Sequence, residues 1–327
     1  MVSTAMTRVK MIPIAHRKEA ETIIIDGRCD ILSVVFLVDG KHVVSGDREG
    51  KIRCWRTEDG KEVGTEMDAG SAVFTIAVSR DGKVIVSGAA EGQVTVWNTE
   101  SHSKVTEIKA HGKFVRAVDV SPDATKIATG SGDWTACVWS LSTGEQLLGP
   151  LKHVFWVAAA KFSPDGRLIA TATYHRDSVR VYDSQNGSLL VEFPVAVSQA
   201  LNQSLAWAND SKQLFALSRH GNIHHLDVFA KTTLSQWAIH SNDNPTCITL
   251  VSNGRFIAAS ARSSVSFWDT TSREQIGSVI ECTHGVWSMA MSSNHDLVTS
   301  GPKKITLLAL GGILPFHYFD NVSAPAQ

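Results

Sequence analysis

The chain has 327 residues, of which 43% are apolar and 19% charged, and its formal net charge is -1. That length buries a sizeable core, and so few charges exclude disorder and coiled coils. A near-neutral chain offers no global field to draw it to nucleic acid or anionic lipid, so neither is expected as a partner.

Residues 1–20 read as an N-terminal tail. They lack the continuous apolar run of a secretory leader. No apolar stretch in the chain approaches the ~20 residues of a spanning helix, so no membrane is expected. The expected location is the cytoplasm, with the nucleus as the alternative. Sequons at Asn186, Asn202 and Asn321 then read as chance matches. The cysteines Cys29, Cys54, Cys137, Cys247 and Cys282 form no CxxC pair. Zinc and thioredoxin-type readings fail, and the thiols read as small buried hydrophobes in a reducing compartment. The segment ETIII (21–25) looks like a strand.

From Asp26 onward the sequence repeats. Segments 73–97 (VFTIAVSRDGKVIVSGAAEGQVTVW), 115–139 (VRAVDVSPDATKIATGSGDWTACVW) and 157–182 (VAAAKFSPDGRLIATATYHRDSVRVY) share one grammar. An apolar strand meets a turn of the Asp-Gly type, a second apolar strand, a polar turn, and a third strand ending on an aromatic. Third-strand markers recur at Trp55, Trp97, Trp139, Tyr182, Leu226, Trp268 and Leu308, at intervals of about 40–44 residues. That is the period of four-stranded propeller blades. Asp39-Gly40, Asp81-Gly82, Asp165-Gly166 and Asn253-Gly254 suit tight hairpins that need positive φ. Inner strands such as KIATG (126–130) and LIATA (168–172) are nearly all apolar, so both of their faces must be covered. No segment carries sustained helical periodicity. The prediction is all-β: one seven-bladed propeller over residues 21–310, flanked by tails at 1–20 and 311–327.

The pairs Trp97-Asn98, Trp139-Ser140, Tyr182-Asp183, Leu226-Asp227 and Trp268-Asp269 end third strands, and His111, His153 and His240 lie about 28 residues upstream of three markers. With these the chain resembles the WD-repeat β-propellers over nearly its whole length. Linkers such as STGEQLLGPLKH (142–153) resemble those of fungal-type cytoplasmic WD-repeat proteins. The resemblance implies that the N-terminal strand completes the last blade, so Thr22–Ile25 are expected beside residues 304–309. It also implies a buried structural network, matched best by His111, Thr129, Asp133 and Trp139. Elsewhere Glu49, Glu91, Arg176, His220, Arg262 and Pro302 stand near or at the Asp position, so burial is expected to carry more of the stability there.

Catalytic signatures are missing: there is no HExxH, GxSxG or GxxxxGK[ST]. His224 and His225 are adjacent on a strand and point to opposite faces, so they cannot jointly grip one metal ion. No cofactor, metal or catalytic residue is expected. By the resemblance, partners bind on the rim formed by the loops before each inner strand and the turns between second and third strands. Phe114, Trp134, Trp156, Tyr174, His175, Arg176, Arg48, His220 and Arg262 are the candidate rim residues. Aromatics and Arg are favoured at such surfaces. The expected function is a non-enzymatic scaffold or adaptor for partner peptides or domains, monomeric by itself. Two alternatives are a small-ligand sensor or hydrolase using the central channel, and a modified-peptide reader of the histone type. The first would need carboxylates and His converging on the axis, yet the starts of four inner strands read ILS, VFT, VRA and VAA. The tail GGILPFHYFDNVSAPAQ is expected to dock back on the propeller, a partner motif being the other option.

Overall fold

The computed structural model describes residues 22–174, 178–197, 203–239, 245–251, 254–294 and 296–318. Seven four-stranded antiparallel sheets follow one another along the chain. In blade one, Ile31–Phe36, His42–Asp47, Lys51–Arg56 and Glu62–Asp68 pair in sequence order as strands a to d. Strands a of blades two to six are Val73–Val78, Val115–Val120, Val157–Phe162, Leu205–Trp207 and Pro245–Leu250. Blade seven takes three strands from Ser288–Met291, Asp296–Gly301 and Lys304–Ala309. Its fourth is Thr22–Asp26, paired with Ile25 opposite Ile305 and Ile23 opposite Leu307. The N-terminal strand thus closes the ring.

Strands form where the sequence alternates β-branched runs with turns that only certain residues can take. Gly40, Gly82, Gly166 and Gly254 all adopt φ between 64° and 75° in the a–b turns. A second glycine position sets blade spacing. A Cβ on Gly46, Gly88 or Gly130 of strand b would meet Val73, Val115 or Val157 of the next blade at 2.5–2.7 Å. Adjacent blades therefore pack strand a against backbone.

The core lies in the wedges between blades. All seven third-strand markers are buried. One cluster joins Val86, Val96, Val115, Val118 and Trp139 across blades two and three. Another joins Ile25, Ile31, Val34, Trp55 and Ile305 across blades seven and one. The inner edges of the sheets are tied by side chains of other blades. Ser288 Oγ accepts the Val34 N–H (3.1 Å) and Ser33 Oγ accepts that of Ile76 (3.1 Å). Asp119 Oδ2 accepts the Phe162 N–H (2.9 Å), and Gln203 Oε1 that of Met289 (2.8 Å). These bonds occupy backbone donors that an edge strand otherwise leaves open.

After blade seven, short 3-10 turns at Leu310–Gly312 and Phe316–Tyr318 lie on blade six. Leu310 and Leu314 are buried with Phe256 and Phe267. The Tyr318 hydroxyl donates to Asp269 Oδ2 at 2.9 Å. Residues 1–21 and 319–327 lie outside the described residues.

Candidate functional site

Blade three carries the internal network in full. Asp133 Oδ2 faces His111 Nδ1 at 3.0 Å and accepts the Gly112 N–H at 3.1 Å. Its Oδ1 accepts the Thr135 N–H and hydroxyl at 3.0 and 2.6 Å. His111 Nε2 meets Thr129 Oγ1 at 2.7 Å, and that oxygen accepts the Trp139 indole N–H at 3.0 Å. The carboxylate only accepts and the indole only donates, so one tautomer satisfies the whole chain. Burial would raise the Asp133 pKa, but hydrogen bonds from His111 and Thr135 take it well below the usual carboxylate range. This is a clamp between chain segments, closed to solvent at His111, and it leaves no base free to take a substrate proton.

Other blades vary the device. Trp55 and Trp97 donate to Ser45 and Ser87 at 2.7 and 2.9 Å. Blade one replaces the His–Asp pair with a buried Arg53, held by Asp47 (2.5 Å) and Glu66 (2.6 Å). Blade seven uses His284, whose Nε2 meets Thr306 Oγ1 at 3.0 Å. In blade four His153 meets Thr171, and burial lowers its pKa to about 3, Arg180 adding to the shift. His240 lies outside the described residues.

On the rim, the structure brings Phe114, Trp134, Trp156 and Tyr174 into one aromatic surface, with Phe155 and Phe74 added. Trp134 stacks on Phe155 (centroids 6.3 Å apart, planes 20°), and Phe155 on Trp156 (5.1 Å, 29°). Trp156 stacks on Tyr174 (6.4 Å, 19°). Phe114 meets Trp156 edge-on at 5.4 Å and Phe74 at 6.1 Å. Local backbone dictates this assembly. Phe114 and Trp156 directly precede strands a of blades three and four. Gly132 lets the Phe114 ring cross the neighbouring turn, where a Cβ would meet it at 2.3 Å. Trp134 takes φ 73°, in a turn position filled by Gly50, Gly92 and Gly221 in blades one, two and five. It is 46% exposed, beside an exposed Val154.

Arg116, the second residue of strand a in blade three, places its guanidinium 5.6 Å from the Phe114 centroid and 5.7 Å from that of Phe74. Burial lowers its pKa. Arg48, His220 and Arg262 stand exposed on turns of blades one, five and six, outside the aromatic surface of blades two to four. Arg48 pairs with Asp30 at 3.3 Å, and His220 accepts from Arg219 at 3.1 Å. His175 and Arg176 lie outside the described residues.

A channel of about 370 Å³ runs between strands a of all seven blades, lined by Asp119, Lys161, Gln203 and apolar residues such as Val35 and Ala77. Asp119 and Lys161 approach to 3.4 Å. Burial raises the Asp119 pKa, opposed by Lys161. Asp119 lies two residues beyond the strand starts read from sequence, and it is engaged by Lys161 and the Phe162 N–H. Among the described residues, no group of three His, Cys, Asp or Glu is placed to hold a metal ion. No helix there is long and apolar enough to cross a membrane.

Residues 30–310 match the family model of the IFT122 first beta-propeller. The chain belongs to the IFT122 first beta-propeller family. The match covers all seven third-strand markers and the aromatic surface, and ends at the close of blade seven. It agrees with the WD-repeat pattern and is silent on any fungal affinity. No curated protein matches the chain at a significant level. Phe74, Phe155 and Arg116 were not found from sequence. An alignment of strand starts across blades exposes Phe155, one residue before Trp156. Phe74 and Arg116 read as strand interior, and only the fold shows that the second position of strand a packs against Phe114.

Proposed function

We propose that the chain is a non-enzymatic protein-interaction scaffold whose principal partner surface is the rim of blades two to four. Propeller domains of this kind are typical of such scaffolds, although fold alone does not fix function. The observation that carries the reading is Trp134. A bulky residue in the left-handed region costs ~1–2 kcal/mol. Blades one, two and five avoid that cost with glycine. Blade three accepts it and holds an indole in solvent against Phe155, at the edge of a contiguous aromatic surface. Large rigid aromatics of this kind anchor protein interfaces.

The modified-peptide reader fits less well. Phe155 and Trp156 stack at 5.1 Å, which leaves no room for an ammonium between them. Arg116 already takes the faces of Phe74 and Phe114. The channel reading has a charged pair in its favour, but Asp119 and Lys161 engage each other and seal a blade seam. The five free thiols support a reducing compartment, the cytoplasm being our proposal.

Trp134→Gly tests the rim. Relief of backbone strain offsets the lost stacking of ~0.5–1.5 kcal/mol, so stability should change by no more than about 1 kcal/mol. Partners captured by the wild type from native extract should be lost on this variant and on the Phe114→Ala/Trp134→Ala/Trp156→Ala variant. Undiminished capture by both, with intact melting curves, refutes the reading.

A further inference from the structure

Charge at the rim is sorted by blade. In each blade the last residue of strand d lies opposite the first residue of strand c, or next to nothing but loop beyond it. That residue is an acid in three consecutive blades: Glu281 in six, Asp26 in seven and Asp68 in one. It is a lysine in the next two, Lys109 in blade two and Lys152 in blade three. Blades four and five carry the uncharged Phe193 and Ala238. All five charged residues are exposed. A net charge of -1 on the whole chain therefore hides a local polarity.

The positive sector coincides with the aromatic surface. Lys152 lies opposite Thr135, the residue after Trp134, and the His153 N–H donates to the Trp134 carbonyl at 2.9 Å. Lys109 opens the loop that ends on Phe114. The same loop carries a third exposed lysine, Lys113, whose carbonyl accepts the Ser131 hydroxyl at 3.2 Å. Among the described residues none of these three ammonium groups has a carboxylate partner. Asp133 is held by His111, Gly112 and Thr135, and Asp68, the acid of the adjoining blade, by Lys51 at 2.8 Å. Glu91, exposed on the turn of blade two, is the one carboxylate there that opposes the lysines. Salt screens exposed charges beyond ~8 Å, so a partner on the aromatic surface responds to the lysines beside it.

We propose that Lys109, Lys113 and Lys152 make this sector of the rim a site for acidic peptide segments. An aromatic or large aliphatic residue of the segment seats on Trp134 and Val154, and its flanking Asp or Glu residues meet the lysines. The proposal rests on the rim being the partner surface. The test is selection of a random phage-displayed peptide library on the folded full chain. Lys109→Glu/Lys152→Glu, Lys109→Gln/Lys152→Gln, Glu281→Lys and Trp134→Gly are selected in parallel.

Wild-type selections should pair an apolar residue with Asp and Glu, and Glu281→Lys should select the same peptides. The acid preference should vanish on the Gln variant and turn to Lys and Arg on the Glu variant, while Trp134→Gly should lose the binders. For a selected peptide, replacing two acids by amides should weaken binding about threefold to tenfold on wild type and leave the Gln variant unaffected. Wild-type affinity for the acidic form should also fall as salt is raised. Should the Glu variant fail to fold, the Gln variant carries the same comparison without a reversed charge. Binders that depend on Trp134 but show no acid preference, or one that persists on the Gln variant, overturn the role of the lysines and leave the rim reading standing. Binders indifferent to Trp134, or no binders to folded wild type, overturn both.

Discussion

Acidification should loosen blade four by an amount that can be worked out from one imidazole. His153 is buried, with Nε2 3.3 Å from Thr171 Oγ1 and its ring edge-on to Tyr182 at 6.2 Å. Its Nδ1 has no hydrogen-bond partner among the described residues. Burial lowers its pKa from 6.5 to about 3, and the nearby Arg180 pushes the same way. In the unfolded chain the ring takes up a proton near pH 6.5; in the fold it resists until about 3. Between those values the unfolded state binds more protons, so stability rises with pH in that window. The contribution is complete above the unfolded value and is lost as pH falls toward the folded one. The slope is ~1.4 kcal/mol per pH unit, so descending from about pH 8 to about pH 5 costs roughly 2 kcal/mol at this site. Urea unfolding of wild type and His153→Gln across that range isolates the term from the other histidines. Wild type should lose about 2 kcal/mol more than the variant. Identical pH dependence in the two would refute the reasoning, and would mean that a negative charge faces His153 and keeps its proton affinity ordinary.

Two further outcomes are expected. Asp133→Ala should cost roughly 2–4 kcal/mol in urea unfolding, because a buried imidazole and two backbone donors lose their acceptor. Since the Asp133 pKa lies below its ordinary 3.8, its contribution is present above that value and lost as pH falls below it; the variant should therefore lose less stability on acidification below about pH 4. Deletion through Asp26 should lower the melting temperature, since burial of Ile25 alone is worth ~1.5–3 kcal/mol and the strand's hydrogen bonds go with it. An unchanged melting curve would show that blade seven does not need its fourth strand.

Architecture was legible because each blade carries a large apolar marker near the end of its third strand and four of the seven turn their first hairpin on Asp-Gly or Asn-Gly. The closing strand was legible because ETIII fell outside the repeat and blade seven came up one strand short. The aromatic surface was half legible. Aligning blades placed Phe114 and Trp156 at the rim, but Arg116 and Phe74 stood inside strand starts with nothing to mark them, and only the fold brings them against Phe114. His284 escaped notice because it stands 24 residues before Leu308 and meets Thr306 on strand c rather than strand b. The seam bonds of Ser33, Ser288, Asp119 and Gln203 have no signature at all. Each is an ordinary polar residue in an inner strand or, for Gln203, just before one, and its partner is a backbone N–H of another blade.

Pairing Thr22–Asp26 with Lys304–Ala309 also fixes an order of events during synthesis. Six sheets draw their strands from consecutive sequence and can assemble as the chain emerges from the ribosome. The seventh cannot. Its first strand emerges about 280 residues ahead of the partner, a wait on the order of 15–60 s at usual translation rates. Throughout that interval TIIID is an apolar, unpaired β-segment exposed to every neighbouring nascent chain. Slow or crowded translation favours exchange of this segment between chains, so yield of the closed monomer should depend on the speed of synthesis as well as on the stability of the finished ring.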